Sequence, residues 1–220
     1  MTRFSILLCL LLSLLLFPSC SEEELDTSQA KLRMLHAIPD VGTLELLLDG
    51  KRLMKLDANE LGSTEGFSTG PHILGVRLTG APQPFKELSY NFSNRVYFAA
   101  LSGSFANSTV QLHFYDQAPP SNLGKQAAIE VVSLYEGGAQ FDVYLGDTLI
   151  AGSLGFRAES AFETVSAGGH VLSIFNTGDD PGRDVPLLSQ SLSLESGRAY
   201  MLLLQLGSGR SVLAEHFSIK

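Results

Sequence analysis

The chain repeats itself. Residues 31–220 align with themselves about 97–103 positions apart, in five blocks that keep their order. Arg33-Met34-Leu35 parallels Glu130-Val131-Val132, and Thr43–Gly50 parallels Gln140–Asp147. Ser68-Thr69-Gly70-Pro71-His72-Ile73-Leu74 parallels Ser166-Ala167-Gly168-Gly169-His170-Val171-Leu172. Arg95-Val96-Tyr97 matches Arg198-Ala199-Tyr200, and His113-Phe114 matches His216-Phe217. A period this long exceeds any solenoid unit, so each copy is expected to be a domain. The copies occupy 31–116 and 127–220, with a linker over 117–126 that Pro119-Pro120 should stiffen.

Inside each copy the apolar period is two. Leu44, Leu46 and Leu48 share one strand face, as do Phe141, Val143 and Leu145. Apolar runs are broken by Asp49-Gly50, Thr79-Gly80, Gly146-Asp147, Ser196-Gly197 and Gly207-Ser208-Gly209, all turn formers. Asp-Gly between two apolar runs is a direct hairpin signal. Seven or eight strands per copy follow, with no helix of ten residues. The expected fold is all-β: two tandem antiparallel β-sandwiches, immunoglobulin-like or transthyretin-like, of about 90 residues each.

Residues 1–20 read MTRFSILLCLLLSLLLFPSC. Arg3, an apolar run over Ile6–Phe17, and Pro18-Ser19-Cys20 have the order of a secretory signal peptide. The run stops short of the roughly 18 apolar residues that a membrane span needs. Its end resembles a bacterial lipoprotein signal, with Ser19 as the small residue before Cys20. The resemblance implies a signal peptide over 1–19 and a lipidated Cys20, anchored by about 0.8 kcal/mol per buried CH₂.

Residues 20–30 then read as an acidic tether with a reach of about 15–20 Å. Ser21 stands where an inner-membrane retention signal has aspartate, which favours the outer membrane. Glu22-Glu23-Glu24 looks like the acidic tag of some surface-displayed lipoproteins, and a solvated spacer accounts for it equally. Cys9 falls in the signal and Cys20 would be acylated, so neither thiol chemistry nor a disulfide is expected.

Arg33-Met34-Leu35-His36-Ala37-Ile38-Pro39-Asp40, followed by Leu44-Glu45-Leu46-Leu47-Leu48-Asp49-Gly50, resembles the opening of domain of unknown function four-three-nine-seven. The second copy keeps the later half, as Phe141-Asp142-Val143-Tyr144-Leu145-Gly146, and replaces the earlier half with Ser133-Leu134-Tyr135-Glu136-Gly137. The resemblance implies exported bacterial β-sandwich repeats with no established activity.

Charge and composition exclude several functions. A net charge of −8 argues against a nucleic-acid groove, which needs clustered cations. No phosphate-binding Gly-x-x-x-x-Gly-Lys-Ser/Thr occurs, and no carboxylate pair stands out for glycoside hydrolysis. Gly66-Phe67-Ser68-Thr69-Gly70 matches a nucleophile elbow by pattern, but a strand follows it instead of a helix, so it reads as a turn. His72 and His170, like His113 and His216, occupy equivalent strand positions without metal-ligand spacing and read as structural. His36, Pro39 and Asp40 read as a turn in which Asp40 accepts backbone N–H groups.

Tyr135, in a loop, and Tyr144, facing away from the core, are the best aromatic candidates for a binding surface in a chain without tryptophan. Asp147-Thr148-Leu149 resembles a bacterial O-glycosylation site. Asn91-Phe92-Ser93 and Asn107-Ser108-Thr109 are sequons by pattern. The expected protein is a lipid-anchored envelope module without catalytic residues, metal or cofactor, binding a protein or glycan. A structural subunit of an envelope assembly is the alternative, and a hydrolase is the third.

Overall fold

The computed structural model describes residues 29–115, 119–206 and 212–218. The signal segment, Cys20 and linker residues 117–118 lie outside them. The first copy forms β1 (Gln29–Ala37), β2 (Leu44–Leu48), β3 (Lys51–Leu56), β4 (Glu65–Ser68), β5 (Gly70–Leu78), β6 (Lys86–Phe92), β7 (Val96–Ser102) and β8 (Gln111–Tyr115). The second forms β9 (Gln126–Ser133), β10 (Phe141–Leu145), β11 (Thr148–Leu154), β12 (Glu163–Ser166), β13 (Gly168–Asn176), β14 (Leu188–Leu194), β15 (Ala199–Leu206) and β16 (Val212–Ser218). No helix occurs among the described residues.

Each copy is a two-sheet sandwich. The first has sheets β4-β1-β7-β8 and β3-β2-β5-β6; the second has β12-β9-β15-β16 and β11-β10-β13-β14. Turn chemistry pins the hairpins. Asp49 at φ 50° and Gly50 at φ 77° form the left-handed pair of a two-residue turn between β2 and β3. The pairing departs from the antiparallel expectation at one place in each copy: β1 runs parallel to β7, and β9 to β15. Side-chain alternation reports which face a residue occupies and carries no information on strand direction.

Among the described residues three large apolar cores hold the sheets, beside a small cluster of Leu123, Ala128 and Ala199. Leu32, Met34, Leu46, Val76, Phe92 and Leu101 belong to the first interior, and Val131, Phe141, Val143, Ile174, Leu202 and Leu204 to the second. The third core is shared: Leu35, Ala37, Phe98, Ala100 and Tyr115 pack with Val132, Leu134, Met201 and Leu203. Leu35 and Val132 are equivalent positions, as are Phe98 and Met201, so the copies meet through the same outer face of the same sheet. The result is four stacked sheets with β3-β2-β5-β6 and β11-β10-β13-β14 outermost. Burial of β7 and β15 on both faces joins the two copies.

Candidate functional site

The family-like motif is a folded corner. His36 is fully buried; its Nε2 lies 2.7 Å from the Gly42 carbonyl, to which it donates, and its Nδ1 accepts from the Ile38 amide at 3.2 Å. These partners require a neutral ring. Burial pushes its pKa below the ordinary histidine value. Pro39 follows in the β1–β2 loop, and Asp40 reaches across to the β7–β8 loop. Its carboxylate accepts from the Ser104 hydroxyl at 2.7 Å and from the Phe105 and Ala106 amides at 2.9 Å each. Desolvation works to raise the Asp40 pKa, and these donors outweigh it, holding the carboxyl below the usual range.

Tyr135 is not an open platform. Its ring is half-buried, edge-on to Phe141 at 5.1 Å, and lies where a Cβ on Gly137 would stand. A loop residue with this much apolar surface packs back on the core. Tyr135 and Pro39 nevertheless come together, lining a cleft of about 440 Å³ between the copies with Asn107 and Glu136. Tyr144 sits elsewhere.

The Gly66–Gly70 turn contains a contact that sequence reading missed. His72 Nδ1 lies 2.6 Å from Asp49 Oδ2, and Nε2 lies 3.3 Å from the Ser68 hydroxyl. The order serine, histidine, aspartate resembles a catalytic triad in outline. The Ser68 carbonyl is closer to Nε2, at 2.9 Å, and competes for the position a general base would offer to the hydroxyl. The second copy keeps the same contact, His170 Nε2 to the Ser166 carbonyl at 2.8 Å, with Gly146 in place of Asp49. What both copies retain is a strap closing the corner between β4 and β5, or β12 and β13. Among the described residues no group of three His, Cys, Asp or Glu could hold a metal ion.

The two outermost sheets differ most. On the first, Glu45 is paired with Arg77 at 2.7 Å and Arg52 at 3.2 Å, and Leu47 is buried. Gly75 lies under the β5–β6 loop, where an added Cβ would stand 3.3 Å from the Pro84 ring. That loop returns early, the Phe85 amide bonding the Val76 carbonyl; in the second copy the Leu187 amide returns to the equivalent Ile174 carbonyl. The second loop therefore carries four more residues between the equivalent returns, counted from 76–85 against 174–187.

Substitution follows the same division. Tyr144 replaces Leu47, Ser173 replaces Gly75, and Phe175, itself buried, replaces Arg77. A groove of about 700 Å³ is left open, lined by Tyr144, Asp147, Val171, Ser173, Phe175 and the Asp180-Pro181-Gly182 turn. Tyr144 and Phe175 stand perpendicular, 5.7 Å between centroids. Leu149, Val171, Val185 and Leu187 on this sheet and its loop are exposed, a large apolar display for one face. Of the residues expected at a binding surface, Tyr144 lies in this groove; Phe175 and Asp180 were not foreseen, although Phe175 in place of Arg77 is visible in the self-alignment.

No protein-family model matches the chain, and no curated protein does. Solved structures similar to it include the C-terminal domain of AlgF from P. aeruginosa, at 18% identity and TM-score 0.30, covering 43% of this chain and 98% of that one. The Bacillus anthracis TIE protein matches at 10% identity and TM-score 0.25, over 81% of this chain and 34% of its own. A family CBM26 domain from Eubacterium rectale Amy13K, solved with maltoheptaose, matches at 10% identity and TM-score 0.25, over 87% of this chain and 97% of its own. Identities and TM-scores this low carry no argument about ligand or activity here.

Proposed function

We propose that this protein is a lipid-anchored component of the bacterial envelope, attached through Cys20 to the outer membrane, acting as a non-catalytic binding module. One observation carries the binding role: the second copy opens a groove at Tyr144 and Phe175, where the first is closed by Pro84 and ion-paired through Glu45. Duplicated domains share a framework, and the copy freed from covering its sheet is the one that can take a ligand. The resemblance of residues 33–50 to an exported repeat family supports the same assignment, as do the signal-like segment and the acidic tether.

Two experiments test it. Palmitate labelling of growing cells should mark the wild-type protein and not Cys20→Ala; equal labelling removes the anchor. Purified protein should be retained on isolated cell envelopes, and Tyr144→Ala should lose that retention. Equal retention of wild type and variant places binding outside the groove. Protease digestion of intact cells, with a periplasmic protein as control, then decides between surface and periplasmic orientation.

A further inference from the structure

We propose that the Tyr144 groove binds a neutral oligosaccharide, an inference that rests on the binding-module assignment above. The groove offers two kinds of surface. Tyr144 and Val171 provide aromatic and aliphatic area, and the buried Phe175, at right angles to Tyr144, backs the tyrosine ring before a ligand arrives. The Asp147 carboxylate and the hydroxyls of Tyr144 and Ser173 make no hydrogen bond within the described residues. A carboxylate accepts only, with room for two adjacent hydroxyl donors, while each hydroxyl donates or accepts. A pyranose presents the complement: an apolar C–H face with a rim of hydroxyls.

Other ligand chemistries fit less of the groove. An anion would face Asp147 and Asp180. The adjacent cation, Arg183, is 85% exposed and lies 3.5 Å from Asp180. A purely apolar ligand would cover three polar groups without satisfying them, at a cost for each. A lysine ammonium would meet Asp147 but offers donors only, whereas a sugar's hydroxyl rim both donates and accepts. The first copy keeps an exposed aliphatic residue, Ile73, at the Val171 position, but has buried Leu47 for Tyr144 and Gly75, beneath Pro84, for Ser173.

The full chain is applied to an array of neutral, uronate-containing and sulfated oligosaccharides, with a lysine-rich peptide as the cationic probe. The tightest neutral sugar is then titrated by calorimetry. The expected result is binding of a neutral sugar, weakened about tenfold or more by Tyr144→Ala and by Asp147→Asn. Lys55→Ala, on the exposed surface of the first copy, should bind as wild type. Tyr144→Phe keeps the ring packing and loses only the hydroxyl, and is expected to weaken binding about threefold. Failure of every neutral sugar to bind overturns the inference, as does binding that Tyr144→Ala and Asp147→Asn leave intact. Envelope retention that still depends on Tyr144, without sugar binding, leaves the groove as the binding site and excludes this ligand class. Retention indifferent to Tyr144 removes both.

Discussion

Arg157 of the second copy holds the end of a strand in the first: its Nε lies 3.1 Å from the Ser102 hydroxyl and its Nη2 3.3 Å from the Ser102 carbonyl. The same guanidinium donates to the Thr109 carbonyl at 3.0 Å and to Gln111 Oε1 at 2.8 Å. Arg157 does this from a left-handed backbone, φ 63°. The equivalent residue of the first copy is Asn59, at φ 62°, and both donate their amide 2.7 Å to β1 or β9, at His36 and Ser133. Asparagine tolerates that conformation; arginine occupies it at a cost that its four contacts offset.

Arg157→Asn therefore separates backbone from side chain. The substitution suits the left-handed corner and deletes the guanidinium. We expect a net loss of about 1–2 kcal/mol in urea unfolding. In a Ser102→Ala background the loss should shrink. Equal losses in both backgrounds would show that the two residues are not coupled.

The shared core should make the copies unfold together. Phe98 is fully buried between the sheets. Phe98→Ala is expected to cost about 3–5 kcal/mol through the cavity it leaves. Calorimetry of the wild type should show one transition whose calorimetric and van't Hoff enthalpies agree. Two resolved transitions in the wild type would mean that this core does not couple the copies.

Acid should weaken the fold before its carboxylates titrate. Burial lowers the His36 pKa below 6.5, and burial with the nearby Arg157 lowers that of His113. Above that value both rings are neutral, folded or unfolded. As pH falls through it, the unfolded chain takes up protons that the folded chain refuses, so stability drops. The melting temperature should fall between about pH 7.5 and about pH 5.5, near the ordinary histidine range. His36→Asn should show a shallower fall. A flat profile for the wild type, or an identical slope for the variant, contradicts the assignment.

Ser68 should be inert. With the Ser68 carbonyl nearer to His72 Nε2 than the hydroxyl is, a fluorophosphonate probe is expected to label Ser68 no faster than Ser166. Rapid labelling of Ser68 that His72→Ala abolishes would make this corner a catalytic site.

Much of the architecture is local and therefore legible. Alternation in Leu44-Leu46-Leu48 and Phe141-Val143-Leu145 specifies which face each strand buries, because successive strand side chains point to opposite sides. Asp49-Gly50 dictates its hairpin because its turn needs positive φ at both central residues, which Gly adopts freely and Asp tolerates. The duplication follows from the same residues recurring in order.

What tertiary structure alone decided is which surfaces meet. Leu35 and Phe98 are as apolar as any outward residue on a half-covered sheet; only assembly sets them against Val132 and Met201. The parallel pairing of β1 with β7 leaves no mark on alternation. Tyr135 folds back over Gly137, and Asp49 meets His72 from 23 residues away. The groove depends on the longer loop of the second copy, whose Asp180-Pro181-Gly182 turn forms one wall of it, whereas the shorter loop of the first copy settles on Gly75. Strand periodicity and turn preference are set by neighbours in the chain. Contacts between distant faces arise only when those strands are brought together, and that step shaped the candidate site.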